Sequence, residues 1–190
     1  MRSTSRRSGD ELPELGTGQF RLHPVTEADW RSHRDLRLEM LADNPDAFWV
    51  TLDHVSHWTE QQWRDATSTA QHLQARDGDD VVLGTIGVLT RPYSPEVPLA
   101  EGAVNLIAMY VSPAARRRGV AASLMEGASA LTRALGRHEM LLEVASNNEP
   151  AIRFYQRCGF TFTGYTTPHP RKADLVEREM SRLLPGPAAG

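Results

Sequence analysis

The stretch from Ala103 to Gly136 constrains this chain most. Ala103-Val-Asn-Leu-Ile-Ala-Met-Tyr-Val111 is almost wholly apolar, which suits a strand buried on both faces in the middle of a sheet. Ser112-Pro113 ends it, and Arg116-Arg-Arg-Gly119 leads into a helix with Val120, Leu124, Ala128, Leu131 and Leu135 along one face and Gly136 as its stop. A central strand followed by a basic turn and an amphipathic helix calls for a layered fold in which that helix covers the sheet.

The flanking sequence supplies the other layers. Phe20 to Val25 reads as a short strand, and Thr26-Glu-Ala-Asp29 carries helix-start chemistry ahead of Trp30, Leu36, Met40 and Leu41. Asn44-Pro45-Asp46 breaks that helix, Ala47 to His57 is mixed and aromatic, and Thr59 opens a second helix through about Ala70. His72 to Arg76 and Val81 to Leu89 alternate or run β-rich around Asp77-Gly78-Asp79, a hairpin signal. Met140 to Val144 predicts another buried strand. Asn147-Asn148 with Pro150 behind predicts a capped helix closing at Gly159, and Phe160–Thr166 and Leu175–Leu184 predict two last strands. The expected order is strand, two helices, three strands, helix, strand, helix, two strands: one mixed α/β domain over 19–184. Residues 1–18 read as a flexible arm and 185–190 as a loose tail.

Composition narrows the function. A net charge of −3 leaves no basic excess for phosphate backbones, so nucleic acid is not expected as a partner. The single Cys158 excludes an internal disulfide and fits a reducing cytoplasm, and no apolar run approaches a membrane span. His54-x-x-His57 has no accompanying cysteine or carboxylate cluster at zinc spacing, so no metal is expected.

Two places carry chemistry. A turn at a helix start presents free N–H groups and the positive end of the helix dipole, a seat for a diphosphate. Gly119 permits close approach there, and the arginines add charge. A basic helix start is also a common solvated surface. The second place runs from Leu141 to Phe160, where Glu143 interrupts an apolar strand and Tyr155 sits on the capped helix. A carboxylate in such a strand lies at its open end or is buried with a purpose. A tyrosine there is also an ordinary packing residue.

In this order and spacing, Val-x-Pro, Arg-x-x-Gly-x-Ala and Asn-x-x-Ala-Ile-x-Phe-Tyr-x-x-x-Gly-Phe resemble the GNAT superfamily of acyl-CoA N-acyltransferases, over most of Phe20 to Leu184. The resemblance implies a mixed, mostly antiparallel sheet of about six to seven strands flanked by helices, with a splayed gap that takes acetyl-CoA as co-substrate. It implies that the backbone of Met109, Tyr110 and Val111 pairs with the pantetheine arm. It further implies that Arg117, Arg118, Gly119, Val120, Ala121 and Ala122 hold the diphosphate, and that Asn148 contacts pantetheine or caps its helix. Ala121 stands where many members have glycine, and both are familiar there.

Tyr155 matches the tyrosine that protonates the departing thiolate. Glu143 matches a glutamate that serves some peptide-acetylating members as base, with Glu101 or ordered water as alternatives. Phe48, Trp49 and His54 fall in a loop that members use to line the acceptor pocket, and Tyr93 and His169 lie on loops that could reach it. The implied activity is acetyl transfer to a primary amine, small-molecule or peptide, by direct attack in a ternary complex. The rival is a non-catalytic acyl-CoA sensor or interaction module on the same fold. A homodimer is compatible with the family.

Overall fold

The computed structural model describes residues 20–92 and 98–185 of the chain. Seven strands form one sheet in the order β1-β2-β3-β4-β5-β7-β6. They are β1 (Arg21–Pro24), β2 (Gln71–Arg76), β3 (Val82–Leu89), β4 (Ala103–Val111), β5 (Glu139–Ala145), β6 (Thr161–Pro168) and β7 (Val176–Leu183). Every neighbouring pair is antiparallel except β4 with β5. That parallel step needs a crossover, and the helix α4 (Val120–Ala134) provides it.

α4 lies across β1 to β5 on one face and buries Val120, Leu124, Met125, Ala128 and Leu131 against Leu73, Ile86, Val104, Met140 and Met180. On the other face sit α1 (Trp30–Asp43), α2 (Leu52–Ser56) and α3 (Glu60–Thr67). Their buried Trp30, Leu36, Met40, Leu41, Val55 and Trp63 form a second core with Tyr110 of β4. β4 faces both cores, which is why its sequence shows no polar alternation.

The expected elements are present, and the sheet has the mixed, mostly antiparallel, helix-flanked arrangement anticipated. One helix went unforeseen: α2 lies inside the mixed 47–57 stretch. Its five residues are too few to show a periodic pattern, and its start rests on Thr51, whose side chain accepts from the His54 N–H at 3.2 Å. The tight turn after β2 also differs in detail. Asp80, at φ 64°, takes the left-handed position rather than Gly78, and the Asp77 carboxylate holds the turn by accepting from the N–H of Asp79 and Val81.

Candidate active site

The site begins with a defect in β4. Between the pairs Gly87↔Ile107 and Thr85↔Tyr110, β4 carries one residue more than β3, and Ala108 takes φ 53°. Such a bulge bends its strand. β4 pairs with β5 only at Ala103↔Glu139, Val104↔Met140 and Asn105↔Leu141, after which the strands part. Leu106 to Met109 then line one wall of a wedge and Leu142 to Ala145 the other. The helix α5 (Glu149–Arg157) brings Ala151 and Tyr155 to it, with Asn148 at its start. The cavity measures about 410 Å³. Asn148 caps α5, its side-chain oxygen accepting from the Ala151 N–H at 3.3 Å, which leaves its amide NH₂ as a donor.

Beyond β4 the chain makes a short 3₁₀ turn, Pro113–Ala115, and enters α4 through two left-handed residues, Arg117 (φ 63°) and Gly119 (φ 84°). The first backbone bond of α4 runs from the Ser123 N–H to the Gly119 carbonyl, so the N–H groups of Val120, Ala121 and Ala122 lack intrahelical partners. Arg116 is engaged elsewhere, donating to the Val111 carbonyl at 3.1 Å and to the Asp43 carboxylate. Arg117 and Arg118 are exposed and form no ion pair among the described residues.

Tyr155 packs edge-on against Phe154 and Phe160, with ring centres 5.5 and 5.9 Å away. Burial, with Cys158 as a lesser cause, pushes its hydroxyl well above the usual tyrosine range. Glu143 stands opposite Glu179 of β7, and Glu177 lies two residues along on the same face. Burial first, then repulsion from Glu177 and Glu179, pushes the Glu143 carboxyl up to about 7. Glu177 also lines the wedge and is itself raised by burial.

His169 supports this wall from behind. Its side chain is fully buried, with Nε2 3.6 Å from Glu177 and 3.2 Å from the Asp46 carbonyl. Its Nδ1 accepts from the Arg171 N–H at 3.2 Å, which fixes the tautomer with the proton on Nε2. Arg171 in turn donates to the Pro45 and Phe48 carbonyls. The 169–175 loop between β6 and β7 thus positions the 45–50 segment.

Phe48 and Trp49 line the cavity, joined by Trp58 and Trp63. His54 does not. It is exposed on α2, with its ring 5.9 Å from Trp58. Nor does His169, which reaches the cavity only through Glu177. Tyr93 lies outside the described residues. Sequence reasoning missed His33, Arg37 and His72, which also line this space. His33 and Arg37 stand four apart on α1, one turn of one face, the only signal that could have paired them. No helix among the described residues is long and apolar enough to cross a membrane.

The comparisons agree with this architecture. The acetyltransferase (GNAT) family model matches residues 25–160. A GCN5-related N-acetyltransferase from Kribbella flavida superposes with a TM-score of 0.68 at 22% identity, covering 89% of this chain and all of that one. The Salmonella typhimurium protein yncA, solved with its cofactor acetyl-CoA, gives 0.66 at 21%, covering 90% and 97%. Among curated proteins, the peptidyl-lysine N-acetyltransferase YiaC of Escherichia coli K12 is 45% identical over 56 residues, 29% of this chain. The match spans about a third (34%) of YiaC's length. The chain belongs to the GNAT acetyltransferase family.

Proposed function

We propose that the protein is an acetyl-CoA-dependent N-acetyltransferase that passes the acetyl group straight to an amine in a ternary complex. The observation that carries this reading is the wedge between β4 and β5, lined by Glu143 and Tyr155, with β4 running on into the start of α4, whose first N–H groups lack intrahelical partners. The residues present fit the donor. β4 past Asn105 has released its β5 partner, and although Arg116 already donates to the Val111 carbonyl, the backbone on that side over Met109, Tyr110 and Val111 has no strand to pair with and suits a pantetheine arm. Asn148 contributes its amide NH₂. Arg117, Arg118 and the N–H groups of Gly119, Val120, Ala121 and Ala122 suit a diphosphate, combining mobile charge with fixed dipoles.

When bound, acetyl-CoA supplies a thioester, a carbon open to attack by nitrogen. The chain's residues handle the charges and protons. The Met109 N–H donates to the thioester oxygen, a fixed dipole aimed where negative charge grows. An alkyl amine with a pKa of about 10 arrives mostly protonated. Glu143, poised at about 7, is largely ionised just above neutrality and accepts that proton. Nitrogen then bonds to the acetyl carbon as the carbon–sulfur bond breaks, and the nitrogen gives up its second proton to solvent to become the neutral amide. Tyr155, whose raised pKa keeps its hydroxyl protonated, donates to the departing sulfur and recovers a proton from solvent. Phe48 and Trp49 face the acceptor. Cys158 packs on α5 and takes no acyl group.

The test is release of free CoA thiol with an amine panel, repeated for Tyr155→Phe. We expect kcat to fall roughly 10- to 1,000-fold while acetyl-CoA affinity changes less than about twofold. Equal turnover by the variant would remove Tyr155 from the chemistry. Tight CoA binding without thiol release from any amine would favour a sensor.

A further inference from the structure

Away from Tyr155 the cavity is lined by nitrogen-bearing side chains that meet no carboxylate among the described residues. Arg37 is largely withdrawn from bulk solvent and lines the cavity, yet it makes no ion pair among the described residues. It donates to the Met40 sulfur at 4.0 Å, and its guanidinium carbon lies 5.8 Å from the centre of the Phe48 ring. Burial lowers its pKa to about 10, so it stays cationic at neutral pH. His72 is buried with neither ring nitrogen hydrogen-bonded. Its ring occupies space left by Gly87, where an added Cβ would come within 2.9 Å of it. His33 packs edge-on against His72 at 4.7 Å, and no hydrogen bond to its ring is present among the described residues. Burial first, then nearby positive charge, lowers His33 to about 4 and His72 to about 3, so both are neutral.

Buried polar groups in folded proteins are nearly always paired. Here a cation and two neutral imidazoles, each able to offer one N–H, come together, and among the described residues no carboxylate pairs with them. The carboxylates lie across the sheet. His72 is on β2 and Glu143 on β5, three strands apart in the sheet, or upwards of about 14 Å at about 4.8 Å per strand, since β4 and β5 part beside the wedge. Phe48, Trp58 and Trp63 line the same cavity, and the Phe48 ring lies beside Arg37.

From this polarity we infer that the acceptor is a small amphoteric amine of the ω-amino-acid class, its amino group and carboxylate separated by an apolar chain. Its amino group meets Glu143 and Glu177, its apolar body lies among the aromatic rings, and its own carboxylate is bound by Arg37 with help from His72 and His33. Polyamines are disfavoured, because their second cation would meet Arg37. The inference rests on the acetyltransferase reading and adds the substrate class to it.

The experiment measures thiol release with free ω-amino acids of increasing chain length, each beside its own amide and its decarboxylated amine, and with spermidine. The preferred acid should exceed its amide and amine by roughly 10- to 100-fold in kcat/KM, the size of one charge-assisted contact. Arg37→Leu should collapse that preference chiefly by raising the acid's KM, and Arg37→Lys should keep part of it. Amides or spermidine turned over as well as the acids by the unaltered protein would overturn the inference while leaving acetyl transfer intact. No thiol release from any amine would overturn both.

Discussion

Glu143 owes its behaviour first to burial and then to two neighbours on the adjacent strand. Three carboxylates on one face of β5 and β7, half-withdrawn from water, disfavour the last charge to form. Two consequences differ in observable. In activity, proton acceptance grows as Glu143 ionises, so kcat/KM should rise through about pH 7. Glu143→Gln should show its largest deficit near neutrality and a smaller one at high pH, where free amine is abundant; a pH-independent loss would assign Glu143 a structural role instead. In stability the sign is opposite. A carboxyl raised from 4.5 to about 7 on folding favours the native state while protonated and costs stability as pH climbs between those values. Glu143→Gln should therefore melt higher than the parent at pH 8, with the difference shrinking toward pH 5. A melting curve at each pH reads this directly.

The start of α4 shows conformation, rather than space, limiting a position. A Cβ on Gly119 would touch nothing within 4 Å, yet φ is 84°. Left-handed backbone costs an ordinary residue about 1–2 kcal/mol. Gly119→Ala should let the loop relax and weaken CoA by roughly 5- to 30-fold in calorimetry, and an unchanged Kd would show that this turn is not where the diphosphate sits. Most elements were legible because their end signals are local. Thr59 and Gln62 form a reciprocal cap, Asn148 caps α5, and Gly136 and Gly159 close their helices at positive φ. The bulge at Ala108 was not legible, since alanine gives no hint of φ 53°. The same division holds in the site. Tyr155, Asn148 and Glu143 come from one continuous segment and could be picked out together. Arg37 and His72 come from elements joined only by tertiary packing, so their common wall had no signature in sequence.

Across the whole molecule, only three residue pairs join β4 to β5, and the wedge opens beside them. Acetyl-CoA lying in it would bridge the two parts of the sheet. Donor at about 100 times its Kd should add about 2.7 kcal/mol, raising Tm by roughly 5–10 °C in a chain of this size. Hydrogen exchange should slow most over 106–111 and 142–145 and least in β1 and β2. Uniform protection would place the donor elsewhere. A further consequence follows from Tyr110. Its backbone belongs to the strand that borders the wedge, while its hydroxyl meets Glu39 and Asp43 of α1 at 3.1 and 3.3 Å, and Arg116 fastens Asp43 from the other side. The helix that carries Arg37 is thus bolted to the strand that borders the wedge. A lineage could exchange residues 45–58 and inherit new tastes cheaply, but rotating α1 would shift β4, the wall proposed for the donor, so divergence in the acceptor should begin in the loops and spare the helix.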